Sequence, residues 1–253
     1  MDLPAFIPYI LIAVVMFVLI RGLFGKRKRT KRRDLLEHWA SSLNLDFREG
    51  QDPTFDGRFT FRALRQGKNR YAYNAAQGDF EGRQVWAFDY HYETQSTRTV
   101  TTKDARGNTQ VRTQTETHHH HFSAVIVAAN IPLKPLLIRP EGWFDTLKSF
   151  FGKNDLDFES AEFSRKFHVS ADDRKWAYDV LHARAIEALL DRPPCTLEFD
   201  DDHHVLILTG HGTLKPQGFH DALRTADTLL DLLPEYLRQQ QRDLPPTPTE
   251  QSP

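Results

Sequence analysis

The chain has 253 residues, 33 Lys and Arg against 34 Asp and Glu, and one cysteine, Cys195. A single cysteine excludes intrachain disulfides and cysteine-rich zinc sites and suits a reducing compartment. Eight of the basic residues but only one acidic residue, Asp2, fall within positions 1–33, so residues 34–253 carry a net charge of −8. That balance argues against nucleic acid as a partner, because a nucleic-acid binder neutralises phosphates with a basic face.

In chain order, Leu3 to Phe24 is apolar except for Arg21, and a helix of that length, at about 1.5 Å per residue, crosses the hydrocarbon core of a bilayer. Seven Lys or Arg follow in positions 26–33, whereas a cleaved signal peptide would carry its positive charge ahead of the apolar run. The expected organisation is a transmembrane anchor over 1–25, a basic juxtamembrane collar over 26–33 that meets anionic lipid head groups, a domain over 34–238 and a disordered tail over 239–253. By the positive-inside rule the N-terminus faces out and the domain faces the cytoplasm from the plasma (inner) membrane. The fold class implied is α+β: one N-terminal transmembrane helix, then a soluble domain with a largely antiparallel sheet, a long β-hairpin and three or four packed helices.

Leu35, Leu36, Trp39, Ala40 and Leu43 line one helical face, so a helix over Lys31 to Leu43 docks on the domain. Short strands are predicted at Arg58 to Leu64 and Tyr71 to Gln77. From Val85 to Lys103, and again from Asn108 to Ala129, the chain alternates and is rich in aromatic and β-branched residues. Asp104-Ala105-Arg106-Gly107-Asn108 between them suits a three-residue hairpin loop with a bulge. The alternative for Thr94 to Thr117 is a disordered polar loop, since such composition buries little.

Pairing Asp104 with Asn108 sets His91 opposite His121 and Glu93 opposite His119, with Asp89 on the same face. Imidazoles and a carboxylate within cross-strand reach make His91, Glu93, His119 and His121 a candidate zinc or nickel site. No other cofactor and no catalytic residue is indicated. A one-residue slip of the pairing would substitute His118 and His120 for His119 and His121, and the competing reading of His118 to His121 is polar surface.

Beyond the hairpin, Ile131 to Pro140 reads as a proline-bounded edge strand, and Glu141 to Phe151 as a helix whose face, Trp143, Phe144, Leu147, Phe150 and Phe151, packs in the core or meets a membrane interface. Glu159-Ser160-Ala161-Glu162-Phe163-Ser164-Arg165-Lys166-Phe167-His168-Val169 precedes a helix in which Ala177, Val180, Leu181, Ala185 and Leu189 share a face. This run resembles the E-S-x-x-F-N-x-x-F-x-V pattern of a bacterial family of membrane-anchored proteins catalogued as a domain of unknown function, with Ser164 in place of Asn and His182-Ala183 in place of a Thr-Pro pair. The resemblance implies a membrane-tethered cytosolic domain and brings no catalytic residues. Glu159 and Glu162 lack a partner base or nucleophile. Asp200-Asp201-Asp202 is an acidic hairpin turn between two strands, and Phe219 to Leu233 is an amphipathic helix.

No nucleophile elbow, zincin, phosphate-loop or dinucleotide-binding motif is present. Three functions compete on this sequence: a non-enzymatic protein-interaction or scaffold module with an unidentified protein partner, a metal-binding sensor or metal-dependent enzyme on the hairpin face, and a lipid-responsive module. The first is the expected one.

Overall fold

The computed structural model describes residues 16, 27, 29–103, 109–141, 156–208 and 212–242. Its frame is one eight-stranded antiparallel sheet in the order β1-β2-β3-β4-β8-β7-β5-β6. The strands are β1 (Asp46–Arg48), β2 (Lys68–Phe80), β3 (Arg83–Lys103), β4 (Thr109–Ala128), β5 (Leu136–Pro140), β6 (Phe167–Ala171), β7 (Thr196–Phe199) and β8 (His204–Leu208). Among the described residues six α-helices accompany it: α1 (residues 29–42), α2 (Ala161–Lys166), α3 (Arg174–Val180), α4 (Ala183–Leu190), α5 (Pro216–Asp231) and α6 (Glu235–Arg242).

This corrects the expected fold class. Six helices replace three or four, and among the described residues no helix is long and apolar enough to cross a membrane. The expected transmembrane helix is thus not found among the described residues, and the apolar run itself, Met16 excepted, lies outside them. In the helix that the described residues do show there, α1, Arg29, Lys31, Arg32, Arg33, Asp34 and Glu37 leave an apolar stripe rather than an apolar cylinder. That stripe docks on protein: Leu36 and Ala40 are buried, and Trp39 meets Phe219 with ring centroids 5.3 Å apart. Asn44, at φ 55°, ends the helix in the left-handed conformation, and Leu45 N–H closes back on the Ala40 carbonyl at 2.9 Å.

The sheet is buried on both faces. On one, Val85, Ala87, Val125, Val127, Leu197 and Ile207 pack under α1 and α5; on the other, Phe88, Tyr90, Phe122, Ala124 and Ile126 are covered by Phe55, Phe59, Phe61 and Leu64. The predicted strand over Arg58 to Leu64 is instead a pair of 3-10 turns, Phe55–Arg58 and Arg62–Arg65. The reason lies across the sheet: the buried Glu198 carboxylate accepts the Arg62 N–H at 2.7 Å and the Ala63 N–H at 3.2 Å, satisfying turn donors that a strand would have offered to a neighbour.

Burial holds the Glu198 carboxyl above its ordinary range, with the two backbone N–H groups pulling the other way. The folded chain then binds that proton more tightly than the unfolded chain. Stability falls as pH rises from the ordinary glutamate range through the raised value, and Glu198→Gln is expected to flatten this part of the profile. Chemical denaturation of both proteins from the carboxylate range to neutrality measures it; parallel profiles would contradict the assignment.

Ile131 to Pro140 also differs from expectation. Only Leu136–Pro140 forms the strand, and β5 is internal, flanked by β6 and β7, because Pro132 and Pro135 precede it. The predicted helix around Ala177 is two helices. Asp173 caps α3 by accepting the Trp176 N–H at 3.0 Å, and His182 Nε2 bonds the Leu232 carbonyl at 2.9 Å where the chain restarts as α4. Ser160 caps α2, and Phe163 and Phe167 stack at 5.1 Å within the core, so the Glu159 to Val169 run acts structurally here. Glu162 pairs with Lys166 at 2.8 Å one helical turn away. The Glu141 to Phe151 helix lies outside the described residues but for Glu141, as do the hairpin loop 104–108 and residues 243–253 of the tail.

Candidate functional site at the root of the hairpin arm

β2 and β3 join through Glu81-Gly82, both at positive φ, a two-residue hairpin turn that matches the right-handed strand twist. β3 and β4 then pair without interruption from Val85↔Val127 to Lys103↔Thr109. The register places His91 opposite His121 and Glu93 opposite His119. β2 accompanies β3 only as far as Lys68↔Glu93, and β8 accompanies β4 only to Ala124↔Leu208. From Thr94 and His121 outward the hairpin is thus a two-stranded arm, and residues 95–99 and 111–119 are exposed.

β2 breaks register twice, between Lys68 and Tyr71 and between Tyr73 and Ala76. Each irregularity holds an asparagine at positive φ, Asn69 (50°) and Asn74 (48°), a conformation that asparagine tolerates better than most residues. Each asparagine serves the root of the arm. Asn74 Nδ2 donates to Asp89 Oδ2 at 2.9 Å, while Asn69 Nδ2 donates to Glu93 Oε2 at 2.6 Å and the Asn69 carbonyl meets His91 Nδ1 at 3.1 Å.

Asp89 is fully buried on the helix-side face, next to Ala87. Arg32 of α1 clamps it with two bonds, Nη2 to Oδ1 at 2.6 Å and Nε to Oδ2 at 2.8 Å, and Nη1 donates to the Leu214 carbonyl at 2.7 Å. Ser123 Oγ donates to Asp89 Oδ1 at 2.5 Å and accepts the Leu214 N–H at 2.8 Å. A buried carboxylate with a bidentate guanidinium and two further donors is fully satisfied, and it locks α1, β3, β4 and the segment before α5 together.

One layer outward sit the histidines. His91 is buried and stacked on Tyr71 at 4.5 Å, and its Nε2 lies 3.2 Å from His119 Nδ1. His119 Nδ1 is also 3.4 Å from Glu93 Oε1. His91, Glu93 and His119 bring one ligand atom each to within 4.8 Å of one another. His121, the fourth residue indicated by the sequence, does not join this group. Its Nδ1 meets the Tyr73 hydroxyl at 3.1 Å, and burial together with His91 and His119 pulls its pKa down. His118 and His120 point to the opposite face, bonding Ser96 and Thr94. A cavity of about 530 Å³ adjoins the layer, lined by Arg29, Arg32, Tyr71, Tyr73, His121 and Thr213.

The other acidic candidate is a turn. Asp200 Oδ1 accepts the N–H groups of Asp202 (3.1 Å) and His204 (2.8 Å), and Oδ2 meets His204 Nδ1 at 3.0 Å, so both oxygens are engaged within the turn.

These features define an α+β protein built on one antiparallel sheet, with a polar two-stranded arm and a histidine–carboxylate layer at its root. The chain is similar to the crystal structure of the mycobacterial trehalose monomycolate transport factor A, TtfA, with a TM-score of 0.54, 15% identity, and 88% of this chain and 99% of that one covered. That likeness shows the fold. No protein-family model matches the chain, and no curated protein matches it.

Proposed function

We propose that the chain acts by binding a protein partner through its arm, as a non-enzymatic interaction module. The observation that carries this reading is the unpaired edge: from Thr94 to Lys103 on β3 and from Thr109 to His121 on β4, neither strand has an outer neighbour among the described residues. A two-stranded ribbon standing off a domain is marginal by itself in water, and its free N–H and C=O groups are a template for another strand. Its sides are rich in threonine, with Thr97 facing Thr115 and Thr99 facing Thr113. Such β-branched residues favour the extended form. The transport factor that shares the fold lends this reading a form, a role in a transport process.

Photo-crosslinking from Thr99 and Thr113 in the native host tests it. The expected result is a discrete adduct from the arm, identified by mass spectrometry, reproduced with the purified partner, and absent when Thr97 to Thr115 is replaced by a short turn. Adducts that form equally from Arg48 on the far edge of the sheet, or survive removal of the arm, would contradict it.

A further inference from the structure

We infer that His91, Glu93 and His119 form a binding site for one divalent first-row transition ion, of which zinc is the type, with three protein ligands and an open fourth position. Ligand atoms about 2.0–2.1 Å from a tetrahedral zinc lie about 3.3 Å from one another. The two measured edges, His91 Nε2 to His119 Nδ1 at 3.2 Å and His119 Nδ1 to Glu93 Oε1 at 3.4 Å, have that length. The third edge lies within the 4.8 Å that encloses all three atoms.

The surroundings orient two of the three donors as metal sites do. His91 Nδ1 faces the Asn69 carbonyl, which can only accept, so the proton sits on Nδ1 and the Nε2 lone pair faces the cluster. Glu93 Oε2 is held by Asn69 Nδ2, leaving Oε1 turned to His119. Tyr71 stacked on His91 fixes the ring plane. A single residue, Asn69, thus sets two of three ligands from a β2 irregularity. Without a cation, two lone-pair acceptors converge on one imidazole nitrogen that can give a proton to only one of them. Two nitrogens and one carboxylate oxygen, with no sulfur, select zinc, nickel or copper rather than calcium or magnesium.

His121 lies beside the set, its ring centroid 4.7 Å from that of His91 and its Nδ1 on the Tyr73 hydroxyl, and Cys195 is buried just before β7. The remaining histidines of the run face the other way and provide the control.

The test uses the full chain without an affinity tag, stripped with chelator and titrated with Zn²⁺ against a chromophoric competitor, then with Co²⁺ by visible absorption. One saturable site is expected, with the intense Co²⁺ bands of a four-coordinate ion. His119→Ala, a change at a side chain 60% exposed and so tolerable to the fold, should weaken binding by about 100-fold or more, while joint replacement of His118 and His120 by alanine leaves it unchanged. Absence of a saturable site, weak six-coordinate Co²⁺ bands, equal affinity in His119→Ala, or loss of binding in the 118/120 variant would each overturn the inference.

Discussion

Replacing Asp89 by alanine is expected to destabilise the protein by about 3 kcal/mol, at the lower end of what breaking a buried ion pair costs. The lower end applies because Arg32, the partner left behind, keeps 24% of its side chain in contact with solvent and recovers part of its hydration. The rest of the cost comes from Asn74 and Ser123, whose donors lose the acceptor they converge on. Arg32→Ala removes the clamp and leaves Asp89, 0% exposed, with Asn74 and Ser123 alone. The two changes share one interaction, so the double variant should cost clearly less than the two single costs combined. Equilibrium urea unfolding of the four proteins measures this, and an Asp89→Ala loss within about 0.5 kcal/mol, the range of ordinary surface changes, would contradict the buried-lock description.

The second large effect is at Gly67. It sits at φ 59° against β3, and a Cβ there would lie 2.1 Å from the Glu93 carbonyl oxygen and 2.9 Å from the Tyr92 ring. Gly67→Ala therefore combines a left-handed backbone cost of about 1–2 kcal/mol with an overlap on main chain that cannot rotate away, for a total of about 2–5 kcal/mol. The displaced atoms belong to Glu93, so the damage is aimed at the root of the arm. The expected signature is a lowered unfolding midpoint together with shifted amide resonances at Tyr92 and Glu93. A variant as stable as the parent, with those resonances unmoved, would show that the close approach is not real.

How much of this was legible before the structure differs by kind of signal. The hairpin register followed from turn chemistry, the pairing of Asp104 with Asn108 across the loop, and the histidine names hung on it, since a one-residue slip would have brought His118 and His120 into the places of His119 and His121. α5 and the acidic turn at Asp200 to Asp202 were equally readable, the first from its apolar stripe and the second from the ability of aspartate to bond backbone two and four residues on. The Arg32–Asp89 lock was half visible. An aspartate in phase with Val85 and Ala87 must face inward and needs a partner, but the partner lies 57 residues away on a helix read as part of a collar. The breaks at Asn69 and Asn74 and the turns at Phe55 to Arg65 escaped because their cause is nonlocal. Backbone irregularity in β2 is stabilised by Asp89 and Glu93 on the next strand, and the turns by Glu198 three strands further on. The helix count failed for a similar reason, since one continuous apolar stripe across Ala177 to Leu189 conceals the restart that His182 makes against Leu232.

The central claim, that the arm is an ordered strand pair whose outer edges await a partner, is tested most directly by residue-resolved amide hydrogen exchange on the full chain with and without the crosslinked partner. In the free protein, amides of residues 94–103 and 109–121 that point across the β3–β4 ladder should be protected while those pointing outward exchange freely, and the partner should slow the outward set along one edge. Uniform fast exchange through both segments, or outward amides that the partner leaves unchanged, would contradict it.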